Sequence, residues 1–110
     1  MVSHDHYQSC IDACNACADA CERCIAACEK EDAAKMARCI ALNRDCAEFC
    51  RLTASYMMRN SEYVDLVCED CAEICKGSAD ECSQHTEDHC QEAAMACLKC
   101  AEECLKMATR

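Results

Sequence analysis

The stretch CIDACNACADACERCIAAC, residues 10–28, decides the fold. Its cysteines, Cys10, Cys14, Cys17, Cys21, Cys24 and Cys28, follow one another at steps of 4, 3, 4, 3 and 4. That is the spacing of the buried seam of an α-helix, a stripe normally given to Leu, Ile and Val. Here the stripe is thiol. The remaining cysteines of the 17 keep the same phase in later segments: Cys39, Cys46 and Cys50; Cys68, Cys71, Cys75 and Cys82; Cys90, Cys97, Cys100 and Cys104. Helices with thiol seams bury a sulfur-lined core when they pack together. Soft thiolate sulfur selects soft metals such as Cu(I), or zinc.

Outward from this ladder the chain reads as helix throughout. It has no Pro and one Gly, and Ala, Glu, Lys, Arg, Met and Leu dominate between the cysteines. These residues favour helix. The pattern predicts four helices: Asp5–Glu29, with Ser3 or Asp5 as N-cap; Ala33–Arg59, after the polar break Lys30-Glu31-Asp32; a third that follows Asn60-Ser61 and runs to Cys82; and a fourth from His85 or Thr86 to Ala108. His4 and His6 are expected before the first helix. Long helices joined by short turns make antiparallel neighbours. The predicted class is all-α, an antiparallel up-down-up-down four-helix bundle with a cysteine-lined core, one domain over residues 1–110.

Completing the seams with their non-cysteine members adds Met36, Asn43, Thr53 and Met57 on helix 2, Val64 and Ser78 on helix 3, and Thr86, Ala93 and Met107 on helix 4. Apolar residues flank the seams at heptad spacing, among them Ile11, Ala18, Ile25, Leu42, Phe49 and Ile74. Antiparallel packing then sorts residues to two ends. Tyr7, Met57, Val64 and Met107, with Tyr56 and Tyr63 nearby, make a closed apolar end. Cys28, Met36, Cys39, Cys82, His85, His89 and Cys90 gather at the other. His85 and His89 stand four apart, on one helical face.

Composition excludes several classes. The net charge of −10 disfavours nucleic acid or an anionic membrane surface as partner. No apolar run approaches membrane-spanning length. The sequence Met1-Val2-Ser3-His4-Asp5-His6 lacks the basic and apolar stretches of a signal peptide, which points to a reduced, cytoplasmic setting. An odd count of 17 cysteines on parallel-tilted positions of one helix face suits a disulfide framework poorly. No CxxC is followed by His, and the Glu-x-x-His pairs of di-iron bundles are missing.

Charge separates the metals. Binding deprotonates thiols, and burying uncompensated thiolates is prohibitive. One Cu(I) per thiolate neutralises the core. Zinc in four-cysteine sites leaves two negative charges on each site, and no basic residue lies on any seam. Cu(I) is therefore favoured, many ions per chain. A zinc or cadmium thiolate buffer is the alternative, and a thiol redox protein a third reading of a different class. Met36 is the best thioether candidate for a ligand.

The Cys10–Cys28 ladder and the CxxxC and CxxC pairs of helices 3 and 4 resemble the copper storage proteins, four-helix bundles with cysteine-lined cores. The likeness spans nearly the whole chain. It implies non-enzymatic Cu(I) storage on many thiolates, uptake at one end where histidines sit, a homotetramer, and the cytosolic branch of the family. On that likeness the ladder positions are the 17 cysteines, and His85 and His89 are candidates for the mouth.

Overall fold

The structure, a computed structural model, describes residues 4–108, with side chains from His6 onward. Four helices account for nearly all of it: α1 (His4–Lys30), α2 (Ala37–Met58), α3 (Val64–Cys82) and α4 (Asp88–Ala108). No strand occurs among the described residues. α1 packs on α2 and α4, and α3 packs on the same two, the neighbour pattern of an up-down-up-down bundle. The bundle measures 48 × 19 × 18 Å. Among the described residues no helix is long and apolar enough to cross a membrane.

Local chemistry sets the helix ends. α2 closes in a Schellman motif: Ser61 N–H donates to the Tyr56 carbonyl at 3.0 Å and Asn60 N–H to that of Met57 at 3.1 Å. Asn60 supplies the left-handed residue this requires, at φ 56°. Asp32 holds the α1–α2 turn, its side chain accepting from Lys35 N–H at 3.1 Å and its carbonyl from Met36 N–H at 3.0 Å. That turn occupies 33–36, so α2 begins four residues later than the pattern predicts. α4 likewise begins at Asp88 rather than at His85 or Thr86, and Thr86 is exposed. α1 reaches further back than predicted and includes His4 and His6; exposed His6 sets its ring edge-on to Tyr7. Ser3, an N-cap candidate, lies outside the described residues.

All 17 cysteines are buried, at 1 % exposure or less. Ile11, Ala18, Ile25, Ala47, Ala54 and Val67 are buried beside them, and Leu42, Phe49 and Ile74 are half-buried. Tyr7, Met57 and Val64 seal one end, with Met107 half-buried and packed against them. Tyr63 stays exposed instead of joining that plug. The few core polar groups are paired: no buried side-chain nitrogen or oxygen among the described residues lacks a partner. Buried Glu103 ties α4 to α1 by accepting from the Ser9 hydroxyl at 2.9 Å, and Lys99 and Lys106 reach it at 3.3 and 3.2 Å.

Candidate metal centre

Each helix sends one seam of sulfurs to the bundle axis, because positions three and four apart share a face. All seventeen thiols are free. Within α1 and across to α4, Cys17 and Cys21 approach Cys97 at 3.5 and 3.6 Å. Across to α2, Cys17 lies 3.7 Å from Cys46, which lies 3.7 Å from Cys75 on α3. Further along, Cys50 meets Cys71, Cys75 and Cys100 at 3.9, 3.7 and 3.8 Å. Cys100 meets Cys14 at 3.6 Å, and Cys104 meets Cys10 at 3.7 Å. At the sealed end Cys68 faces the Met57 thioether at 4.0 Å.

These separations are those of packed thiols, and they exclude disulfides while leaving metal-bridging geometry within reach. A disulfide would need about 2.05 Å. Two metal–sulfur bonds of about 2.3 Å enclose roughly 100–120° when their sulfurs are 3.5–4.0 Å apart. Sets of four sulfurs lie mutually within 4.8 Å: Cys14, Cys71, Cys100 and Cys104; Cys17, Cys50, Cys75 and Cys100; Cys17, Cys21, Cys46 and Cys97. Cys17, Cys100 and Cys104 each belong to more than one set, Cys104 again with Cys10 and Cys68. Shared sulfurs make bridged clusters rather than the closed four-ligand sites that structural zinc takes. Every described Lys and Arg is exposed, so no cation stands ready to offset a surplus of thiolates.

At the other end Cys24, Cys28, Cys39, Cys82 and Cys90 form a separate buried cluster with Met36. His89 joins it. Its Nδ1 lies 3.4 Å from the Cys24 sulfur, 3.5 Å from Cys90 and 4.0 Å from Cys28, and the four make one candidate ligand set. Its Nε2 faces both carboxylate oxygens of Glu31 at 3.1 Å. A carboxylate on the outer nitrogen fixes the ring and leaves the inner one for a ligand's role. His85 is placed otherwise. It sits in the α3–α4 turn, within a turn of the end of α3, and its Nε2 pairs with Glu81 at 2.8 Å. Glu31 was visible in the sequence only as part of a polar break, and nothing in its spacing marks it as a partner for His89.

Burial keeps two of the outer thiols, Cys39 and Cys90, protonated when no metal is bound. It pushes Cys39 well above the ordinary range, with neighbouring thiols adding to the shift, and Cys90 up to about 11, where the hydrogen bond from Cys24 offsets part of it. An arriving soft cation supplies the charge that removes those protons.

Residues 3–109 match the family model described as copper storage protein. The chain belongs to the copper storage protein family. The Cu(I)-bound copper storage protein 3 of Bacillus subtilis is 39 % identical, covers 94 % of this chain and 98 % of its own, and superposes with a TM-score of 0.90. A cytosolic copper storage protein from Streptomyces lividans, solved with five coppers, is 32 % identical over 97 % of this chain and 95 % of its own, TM-score 0.92. The Streptomyces lividans protein loaded with 10 copper equivalents gives 35 %, 90 %, 80 % and 0.86 for the same quantities. A comparison with curated protein sequences finds no match. The cysteine-lined four-helix bundle of this copper storage protein family member is thus shared with metal-loaded relatives.

Proposed function

We propose that this chain stores Cu(I), many ions at a time, on the thiolates of its core. The observation that carries this reading is the continuity of sulfur: neighbours at 3.5–4.0 Å on all four helices, with sulfurs shared between ligand sets. Cys10, Cys14, Cys17, Cys21, Cys24, Cys28, Cys39, Cys46, Cys50, Cys68, Cys71, Cys75, Cys82, Cys90, Cys97, Cys100 and Cys104 are the store. His89, half-buried against three of them and oriented by Glu31, takes the incoming ion first. His85, turned onto Glu81 at the same end, serves the rim. The relatives solved with Cu(I) and with five and ten coppers support the choice of metal.

The protein acts by holding metal rather than by turning over a substrate. A cytoplasmic setting is supported by the free thiols, which need a reducing compartment, and by the Streptomyces lividans relative described as cytosolic. Self-association, a homotetramer by family resemblance, is supported by exposed Leu52, Leu66, Leu98 and Met95 and by a hollow of about 510 Å³ lined by Leu42, Phe49, Leu52 and Ile74, with Asp45 and Glu48 beside them. Metal analysis after purification under reducing conditions tests the reading. Many copper ions per chain support storage. About four zinc ions per chain would favour a zinc thiolate buffer, and no metal with reversible disulfides a redox protein.

A further inference from the structure

The sulfur ladder misses a rung at one level of the bundle. On α2 the seam runs Cys39, Asn43, Cys46; on α3 Cys75, Ser78, Cys82; on α4 Cys90, Ala93, Cys97. In three helices the thiols on either side are seven residues apart, about 10 Å along the axis. Only α1 carries sulfur through, at Cys21 and Cys24. Asn43, Ser78 and Ala93 are as buried as the cysteines, at 0, 1 and 0 % exposure. The core accordingly divides into two buried clusters, five thiols outside this level and the other twelve inside it.

The rung is built, not merely empty. The Asn43 amide donates to the sulfurs of Cys24 and Cys39 at 3.4 and 3.3 Å. Its carbonyl oxygen accepts from the Ser78 hydroxyl at 3.0 Å and from Cys82 at 3.4 Å. All four hydrogen-bonding positions of the amide are used. Ser78 fixes which way it points, so both N–H groups face sulfur. An N–H donor aimed at a thiolate stabilises the charged form that binds metal. An amide offers no soft ligand by which an ion could step from one thiolate to the next.

We propose that Asn43, held by Ser78, is a positioning residue that partitions the store into an outer pool of five thiols and an inner pool of twelve, joined only along α1 at Cys21 and Cys24. The outer pool exchanges with carriers and chelators. The inner pool fills and empties through it. This rests on the copper-storage reading, and its test separates the two.

Wild type, Asn43→Cys and Asn43→Leu, each confirmed helical by circular dichroism, are loaded with Cu(I) and mixed with excess Cu(I) chelator, and release is followed in time. Wild type should release in two phases with amplitudes near five to twelve. Asn43→Cys supplies sulfur at the missing rung and should merge them into one. Asn43→Leu keeps the gap but removes both N–H donors, so the two phases remain and the first becomes about tenfold faster, the loss expected for such hydrogen bonds. Without metal, the side-chain amide resonances of Asn43 should shift in Ser78→Ala. Single-phase release from wild type, two wild-type phases in Asn43→Cys, an unchanged first phase in Asn43→Leu, or amide resonances indifferent to Ser78→Ala would each overturn the partition. The total released from wild type reads the storage capacity independently. A total of a few ions sinks the storage reading, whereas a full total without the division sinks only this inference.

Discussion

At His89 one ring nitrogen faces three thiols and the other a carboxylate, the placement on which its proposed role in metal entry rests. His85 has no such position, because its nitrogen is taken by Glu81 on its own side of the turn. Replacing His89 with Ala should slow Cu(I) uptake from a small-molecule carrier by about tenfold, on the scale of losing an oriented ligand. The saturating amount should hardly change, since seventeen thiols remain. His85→Ala should leave the uptake rate within about twofold of wild type, as its Nε2 is turned to Glu81 rather than to a thiol. Stopped-flow mixing measures both, and equal rates for the two variants would contradict the assignment. Gly77 gives a second prediction at this scale. It lies exposed within α3, and a Cβ added there meets nothing within 4 Å. Gly77→Ala should therefore stabilise the metal-free protein by about 0.5–1 kcal/mol, from helix propensity alone. Chemical denaturation reads this, and a loss of stability would show that the helix is constrained there in some other way.

Among the elements, the α2–α3 connection depends on one residue in the left-handed region, Asn60 at φ 56°. Asn60→Val puts a β-branched side chain where it is strained and should cost about 1–3 kcal/mol. Thermal melting of the metal-free protein measures the loss, and an unchanged midpoint would contradict it. The break at Asn60-Ser61 was legible in the sequence, and so were all four helices, because steps of three and four repeated over six cysteines leave no other periodic reading. The placement of every cysteine in the core followed from that one regularity. What the pattern missed lies at helix ends, where no period exists to read. The first turn of α2 is displaced by the Asp32 turn, and α4 starts at Asp88. That second shift explains why spacing alone set His85 beside His89: the two are not on one helix, so four residues no longer mean one face. Glu31 comes from the turn after α1, 58 residues away in sequence from the histidine it orients. Asn43 and Ser78 could be placed on their seams, but only the geometry shows both amide N–H groups aimed at sulfur.

For the whole molecule, the metal-free bundle is held by burial of neutral thiols and their apolar flanks, which makes its stability depend on pH. Burial raises the Cys39 and Cys90 thiols from 9.0, the latter to about 11. Unfolded thiols release their protons near 9.0, while these buried ones keep them. Their contribution is therefore fully present below about pH 9 and is lost as pH rises toward 11. The melting temperature of the metal-free protein should fall across that window. The Cu(I)-loaded protein should show no such fall, because its thiols have already given up their protons to metal. A metal-free midpoint that rises with pH between 9 and 11 would contradict neutral burial. The central claim is that the thiol core as a whole, neutralised by monovalent metal, is the store. Anaerobic titration of the reduced protein with Cu(I), read as ions bound per chain at saturation, tests it most directly. The account predicts about one ion per thiolate, close to the seventeen thiols present; saturation at four ions or fewer would contradict it.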